Sequence, residues 1–297
     1  MITIYDGSSI EKIIENINEG KMVMKIPDEI YHDPLCPGIS RSQLNKFAIS
    51  PADYITYLSE PKETTEAMEF GEYYHEAIIF PDEFDKKATA LPEIKGVRGN
   101  TKSQQIEAIK KDNPGKIYMD ADWLDTIKKM RSFLFADKDI RKIFESDVKE
   151  IAFFFKYEEL LLKCKVDSLL TQKQDSFVIF DLKSTQKGGA LSENFKRNLY
   201  DRNQRLYAQV ALYSMCVTSA LGLGYRPDFR FIVQEKKAPF NFAQFILSEK
   251  YVDFAVEMVL NDIENLAICK KANRFPGYKK DVQEIDLPRW LEGLSYE

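Results

Sequence analysis

Two charged residues close an otherwise apolar segment, VIFDLKST at 178–185. Side chains alternate along a strand, so Asp181 and Lys183 share a face with Phe177 and Ile179, while Phe180 and Leu182 face the other way. The preceding segment, LLLKCKVDSLL at 160–170, has the same character: Lys163, Lys165 and Asp167 alternate with Leu162, Cys164 and Val166. The polar run TQKQDS between them reads as a turn. If the hairpin folds symmetrically about residue 174, residue 171 meets 177, Asp167 stands opposite Asp181, and Lys165 opposite Lys183. Directly opposed residues hold their Cβ atoms about 4.5–5.5 Å apart, and two carboxylates that close repel each other unless something compensates. Lys183 supplies one positive charge. A divalent cation supplies two more, and hard oxygen ligands suit Mg²⁺ or Mn²⁺. An ordinary Asp–Lys ion pair at a sheet edge fits the two strands equally well.

The elements that must position these residues follow from pattern and punctuation. A short helix near 8–18 and a Pro-containing stretch make residues 1–38 a peripheral segment, leaving 39–297 as a single domain. Ser40 caps a helix over 41–48, Pro51 opens another within 50–60, and a longer helix covers about 65–80 until Pro81 helps end it. EIKGVRGNTKS (93–103) reads as an exposed mobile loop. Helices fit 103–112, 120–136 and 138–145, with Asn113-Pro114-Gly115 as a turn between the first two. Strands at 151–157, 160–170 and 177–184 precede helices at 191–200 and 203–221, strands at 229–236 and 240–247, and an amphipathic helix at 249–271. The order predicts an α/β domain with a mixed central sheet flanked by helices and a helical N-terminal part.

Other residues are candidates by type and place. His75 is one of two histidines; on an apolar-rich helix it is either a structural residue or a ligand. Gly71, four residues earlier on the same helix face, leaves room for something to approach. His32 has no such context and is assigned to the surface. Gln209 and Tyr213, at i and i+4, share a helix face, either as a core-edge pair or as part of a site. Glu150 is a surface carboxylate or a support for the site. Arg98 and Lys102 lie in the basic loop, and Lys187, Lys196, Arg197, Arg202 and Arg205 follow the charged strand. Such residues can neutralise phosphates, although most charge runs are solvated faces. Gly188-Gly189 reads as a flexible loop and not a phosphate cradle, since no GxxxxGK[ST] is present.

Composition narrows the classes. Hydrophobic residues make up 44% of the 297, enough for a core. No apolar run approaches the ~18 residues of a membrane span, and the first residues lack the basic-then-apolar pattern of a secretory signal, so no membrane association and a cytoplasmic location are expected. A net charge of −5 argues against a long non-specific DNA-coating surface but not against a nuclease, because metal-binding carboxylates add negative charge. The cysteines at 36, 164, 216 and 269 include no CxxC pair, so no zinc site or iron–sulfur cluster is expected.

Asp167 followed by Asp181-Leu182-Lys183 resembles the PD-(D/E)xK nuclease signature, with Val166 in place of the Pro before the first Asp. MEFGEYYHEAIIFPDEF (68–84) resembles the His-bearing helix of RecE-type and RecB-type nucleases. SRSQLNKFAISPADYITYL (40–58) resembles the RecE-type opening. EIAFFF and LLLKCKVDSLL are similar to that family's strands, and Gln209 with Tyr213 matches its QxxxY motif. Leu206 departs from the pattern, which often has Tyr three residues before the Gln. Together these segments span about 39–247 and resemble the RecE-type (exonuclease VIII-like) family of phage and prophage recombination nucleases, with lambda exonuclease more distant.

The resemblance implies that Asp167, Asp181 and Lys183 are catalytic. It implies that Asp167, Asp181 and the Leu182 backbone carbonyl bind Mg²⁺, or Mn²⁺ in its place, with His75 completing this site or serving a second metal. Lys183 would orient or deprotonate the attacking water. Glu150, Gln209 and Tyr213 would support the centre, and Arg98, Lys102, Lys187 and Arg205 would contact DNA. The implied activity is exonucleolytic, 5′ to 3′, on linear double-stranded DNA ends, leaving single strands for a RecT-like annealing protein. A homo-oligomeric ring with a basic channel would accommodate the acidic total charge. The alternatives are an endonuclease, a CRISPR-adaptation-type nuclease, which the scattered cysteines disfavour, and a non-catalytic DNA-binding protein on the same fold.

Overall fold

The computed structural model describes residues 2–60, 64–92, 100–172, 176–201 and 204–285. The N-terminal third runs β1 (Tyr5–Asp6), α1 (Ile10–Asn18), β2 (Val23–Lys25), α2 (Asp28–Tyr31), α3 (Arg41–Ile49), α4 (Pro51–Ser59), α5 (Glu66–Ile79), α6 (Pro81–Lys87) and β3 (Ala88–Ala90). It continues through α7 (Asn100–Asp112), β4 (Ile117–Met119), α8 (Ala121–Phe135) and α9 (Lys138–Phe144). The remainder runs β5 (Lys149–Tyr157), β6 (Leu160–Thr171), β7 (Phe177–Thr185), α10 (Ser192–Leu199), α11 (Leu206–Ala220), β8 (Asp228–Glu235), β9 (Phe242–Ile246) and α12 (Glu249–Ala272).

Local chemistry sets the helix starts. Ser40 and Gln43 form a reciprocal capping box at α3, with Ser40 N donating to Gln43 Oε1 at 2.7 Å. Ser50 and Thr65 accept from backbone N–H groups at the heads of α4 and α5. Pro81 does more than end α5: it sits in the first turn of α6, where its missing N–H costs no hydrogen bond.

Among the described residues the main sheet has seven strands in the order β1-β2-β5-β6-β7-β8-β9. It is mostly antiparallel, with parallel pairs at β1–β2 and β7–β8. One face carries α11, α12 and α3 over the main core, which includes Phe153, Leu162, Cys164, Ile179, Val210 and Phe231. The other face is divided. Helices α5, α6, α8 and α9 cover β7 and β8 through Phe70, Tyr74, Phe180, Leu182 and Ile232. Farther along, α1 and α2 cover β2 and β5 through Ile13, Met24, Tyr31 and Phe154.

Within residues 1–38, β1 and β2 form one edge of the main sheet, and Val23 pairs with Phe153 of β5. Three-residue strands are too short to show the alternation that betrays a strand in sequence. The basic segment expected as a loop over 93–103 is helical from Asn100 onward, and 93–99 lie outside the described residues.

Candidate metal centre

The β6–β7 register follows the expected symmetry for four pairs, from Thr171↔Phe177 to Ser168↔Phe180. It stops one step short of setting Asp167 against Asp181, so the expected facing of Lys165 with Lys183 is also not made. Beyond that point β7 stays with β8 and β6 with β5. The two strands part, and the backbone N–H of Leu182 loses its ladder acceptor. Asp167 Oδ2 takes that place, accepting from Leu182 N at 2.7 Å. A buried N–H must find an acceptor, and here a carboxylate supplies it.

The β5–β6 ladder is interrupted at the same level. Lys149 pairs with Ser168 and Ile151 with Val166, which leaves Glu150 and Asp167 at facing but unpaired positions. Glu150 has φ 53°, in the left-handed region, a conformation costing a non-glycine residue roughly 1–2 kcal/mol. The alternation of β6 slips here too: Leu162, Cys164 and Val166 enter the main core, and the next to do so is Leu169. Three neighbouring strands thus present Glu150, Asp167 and Asp181 at one level, where pairing fails.

Because the strands part, both faces of the sheet reach this gap. From the α5 face, His75 Nε2 lies 2.6 Å from Asp167 Oδ2, and His75 Nδ1 lies 3.2 Å from Glu150 Oε1. Ligand atoms of His75, Glu150 and Asp167 all fall within 4.8 Å of one another. From the α11 face, Gln209 Nε2 donates to Asp181 Oδ1. Asp181 is 2% exposed. Its Oδ2 is held by the Lys183 ammonium. Gly71 leaves open space where a Cβ would sit, one turn before His75 on α5.

Charge balance accounts for the titration behaviour. Burial opposes a charge on His75, but the Asp167 and Glu150 carboxylates outweigh it and raise its pKa well above the usual imidazole value. With a carboxylate at each nitrogen, both ring nitrogens face acceptors, which favours the protonated ring. Burial pushes Glu150 up, yet His75 and then Lys165 pull it down to about 2. Lys165 Nζ sits 2.9 Å from Glu150 and also pairs with Asp28. Asp181 is raised: burial and Asp167 push it up, more than Lys183 and Arg41 pull it down.

These features fit a divalent cation. A cluster of three donors, His75, Glu150 and Asp167, with Lys165 and Lys183 compensating the local acids, is what such an ion satisfies. Asp181, with Lys183 and Gln209, stands outside that cluster and is linked to it through the Leu182 N–H that Asp167 accepts. Glu150, expected only as a support, stands as close to His75 as a ligand would. Tyr213, one turn beyond Gln209, packs edge-on against Phe229 at 5.9 Å.

The proposed DNA contacts divide. Lys187, Lys196 and Arg197 are exposed beyond β7. Arg205 departs from the expectation: it is 5% exposed, with Nη2 paired to Asp262 at 2.6 Å, Nε donating to Tyr207 Oη and Nη1 buried without a hydrogen bond, so its guanidinium is held inside the fold. Arg98, Arg202 and the side chain of Lys102 lie outside the described residues. His32 is exposed and edge-on to Tyr31. The Gly188-Gly189 loop, expected to be flexible, is tied down. Gly188 N donates to Glu235 Oε1 at 2.7 Å, and a Cβ on Gly189 would meet Thr185 Oγ1 at 2.0 Å.

Arg41 was missed as a site residue, although SRSQL was singled out as a segment. Its Nη1 donates to Gln209 Oε1 at 3.0 Å. The capping box fixes Arg41 at the head of α3, but no spacing in the sequence shows that α3 packs beside α11.

Comparison with known proteins agrees with this architecture. The family described as "PDDEXK-like domain of unknown function (DUF3799)" matches residues 40–288. A crystal structure from Eubacterium rectale, described as a "Putative exonuclease", aligns with a TM-score of 0.59 at 15% identity, covering 91% of this chain and 98% of its own. A second, SSO0001, aligns with a TM-score of 0.26 at 11% identity over 73% of this chain and 83% of its own, too low to bear on the fold. A search of curated proteins gave no match.

Proposed function

Since the chain belongs to the PDDEXK-like family matched over residues 40–288, we propose that it is a metal-dependent deoxyribonuclease acting as an exonuclease on linear double-stranded DNA. The observation that carries this reading is the gap between β6 and β7. There His75 and Glu150 meet around Asp167, which also accepts from the backbone N–H of Leu182, the residue between Asp181 and Lys183. Asp167, Asp181 and His75 would hold the cation, with Glu150 beside them and the Leu182 carbonyl as the expected backbone ligand. Mg²⁺ is the proposed ion, with Mn²⁺ able to replace it. Bound there, a divalent cation polarises phosphoryl oxygens and lowers the pKa of water.

The chain's own groups do the rest. Lys183 leaves Asp181 to orient the attacking water and steady charge developing on the phosphate. Gln209 keeps Asp181 aimed at the gap. Lys165 compensates Glu150, so that Glu150 stays ionised. The exposed Lys187 serves the DNA backbone, as do Arg98 and Lys102.

The finer reading takes in the name of the Eubacterium rectale protein and the RecE-type resemblance. It is 5′-to-3′ degradation from DNA ends by a ring of subunits in the cytoplasm of a bacterial or phage-infected cell, yielding single strands for a RecT-like annealing partner. Among the described residues no helix is long and apolar enough to cross a membrane. The test is digestion of strand-labelled linear and closed-circular duplexes with Mg²⁺. Loss of linear DNA alone, from 5′ ends, supports the proposal. Cutting of circles favours an endonuclease, and no cleavage with any divalent metal favours a non-catalytic DNA-binding protein.

A further inference from the structure

We infer that Arg41 is a positioning residue that acts through Gln209 to hold the Asp181 carboxylate ready for a cation, a role that rests on Asp181 being a metal ligand as proposed above. Three contacts carry the inference. Arg41 Nη1 donates to Gln209 Oε1 at 3.0 Å, Gln209 Nε2 donates to Asp181 Oδ1, and Asp181 Oδ2 is held by Lys183.

A carboxamide has one accepting and one donating end. Gln209 is 3% exposed, so water offers it little freedom. Left alone, the amide could rotate by half a turn and set its oxygen against the Asp181 carboxylate, where two acceptors repel. Arg41 removes that choice: a guanidinium can only donate, so the oxygen must face Arg41 and the NH₂ must face Asp181. Consequently Oδ1 is fixed by Gln209, and the carboxylate plane with it, while Oδ2 is left to Lys183.

Arg41 is itself fixed. The capping box of Ser40 and Gln43 sets the start of α3. Arg41 Nη1 also reaches Gln204 O at 3.5 Å, and Asn45 Nδ2 donates to the same carbonyl at 3.0 Å. The head of α3 is thereby clamped to the residues leading into α11. Groups that orient a metal ligand without touching the metal typically change affinity 10–100-fold when removed.

The test is a double-mutant cycle read in Mn²⁺ binding by calorimetry, using the full chain as wild type, Arg41→Ala, Gln209→Ala and both together. Arg41→Ala should bind Mn²⁺ about tenfold more weakly, Gln209→Ala at least as weakly, and the double variant no more weakly than Gln209→Ala. On DNA, kcat should fall while KM holds. Multiplying losses, or a rise in KM alone, would show a direct phosphate contact and overturn the inference. A wild type that takes up no Mn²⁺ refutes the metal reading instead. The relay is then decided in the metal-free chain by the ¹⁵N resonance of the Gln209 side-chain amide: Arg41→Ala shifts it if the relay exists and leaves it in place if it does not.

Discussion

His75 Nε2 lies 2.6 Å from Asp167 Oδ2, although the residues are 92 positions apart and stand on α5 and β6. The contact is made where β6 leaves β7, so a fault in sheet pairing, and not a pocket in a finished surface, forms the centre. A proton on His75 now balances the acids. A cation bound there would take its place, and metal uptake would then be coupled to proton release.

That coupling gives the first prediction. In chelator-treated protein, His75 has a folded pKa above its unfolded one, so its contribution is complete below about pH 6.5 and is lost as pH rises through the raised value. Glu150 has the opposite sign: its contribution exists above about pH 4.5 and is lost as pH falls toward 2. Urea unfolding should show the wild-type advantage over His75→Gln shrinking on the alkaline side, and that over Glu150→Gln shrinking on the acid side. Each advantage should be about 1.5–3 kcal/mol at its plateau. An advantage for His75 that grows with pH would contradict this.

A nitrogen ligand should also set metal preference. Imidazole favours Mn²⁺ over Mg²⁺ relative to an all-oxygen site. His75→Ala should weaken Mn²⁺ binding more than Mg²⁺ binding, measured by competition calorimetry. Equal losses for both ions would place His75 outside the coordination sphere.

Lys183 should separate binding from chemistry. Lys183→Met frees Asp181 from its ion pair and keeps the acids, so Mn²⁺ affinity should hold or rise. Turnover should fall by about 10²–10⁴-fold, the usual worth of a positioned proton-transfer group. Single-turnover cleavage beside calorimetry reads both quantities. Unchanged turnover would remove Lys183 from the reaction.

Gly189→Ala tests the tie between β7 and the loop that follows. Its Cβ would fall 2.0 Å from Thr185 Oγ1, and an overpacked contact of this kind costs roughly 1–3 kcal/mol. The midpoint of thermal unfolding should drop and cleavage should slow. An unchanged midpoint would mean that the loop moves aside freely.

The strands, most long helices and the acid–lysine pattern were legible in the sequence because each rests on short-range rules. Alternation placed Asp181 and Lys183 on one face, and the hairpin register was readable through Ser168↔Phe180. Less legible was everything decided by elements distant in sequence. The parting of β6 from β7 is made possible by β8 pairing with β7, which no local pattern shows. Glu150 enters the centre through a left-handed backbone that an acidic side chain does not announce. Arg205 looked like a surface cation because its partner, Asp262, lies on α12. Arg41 has the same cause: its partner Gln209 is 168 residues away.

The central claim is that the gap between β6 and β7 holds a divalent cation on Asp167. The most direct measurement is anomalous X-ray scattering from a crystal of the chain soaked in Mn²⁺. A peak within about 2.0–2.6 Å of Asp167 and of at least one of His75, Asp181 or Glu150 is the predicted result. A well-ordered crystal with no peak there, or with Mn²⁺ bound only elsewhere, would contradict it.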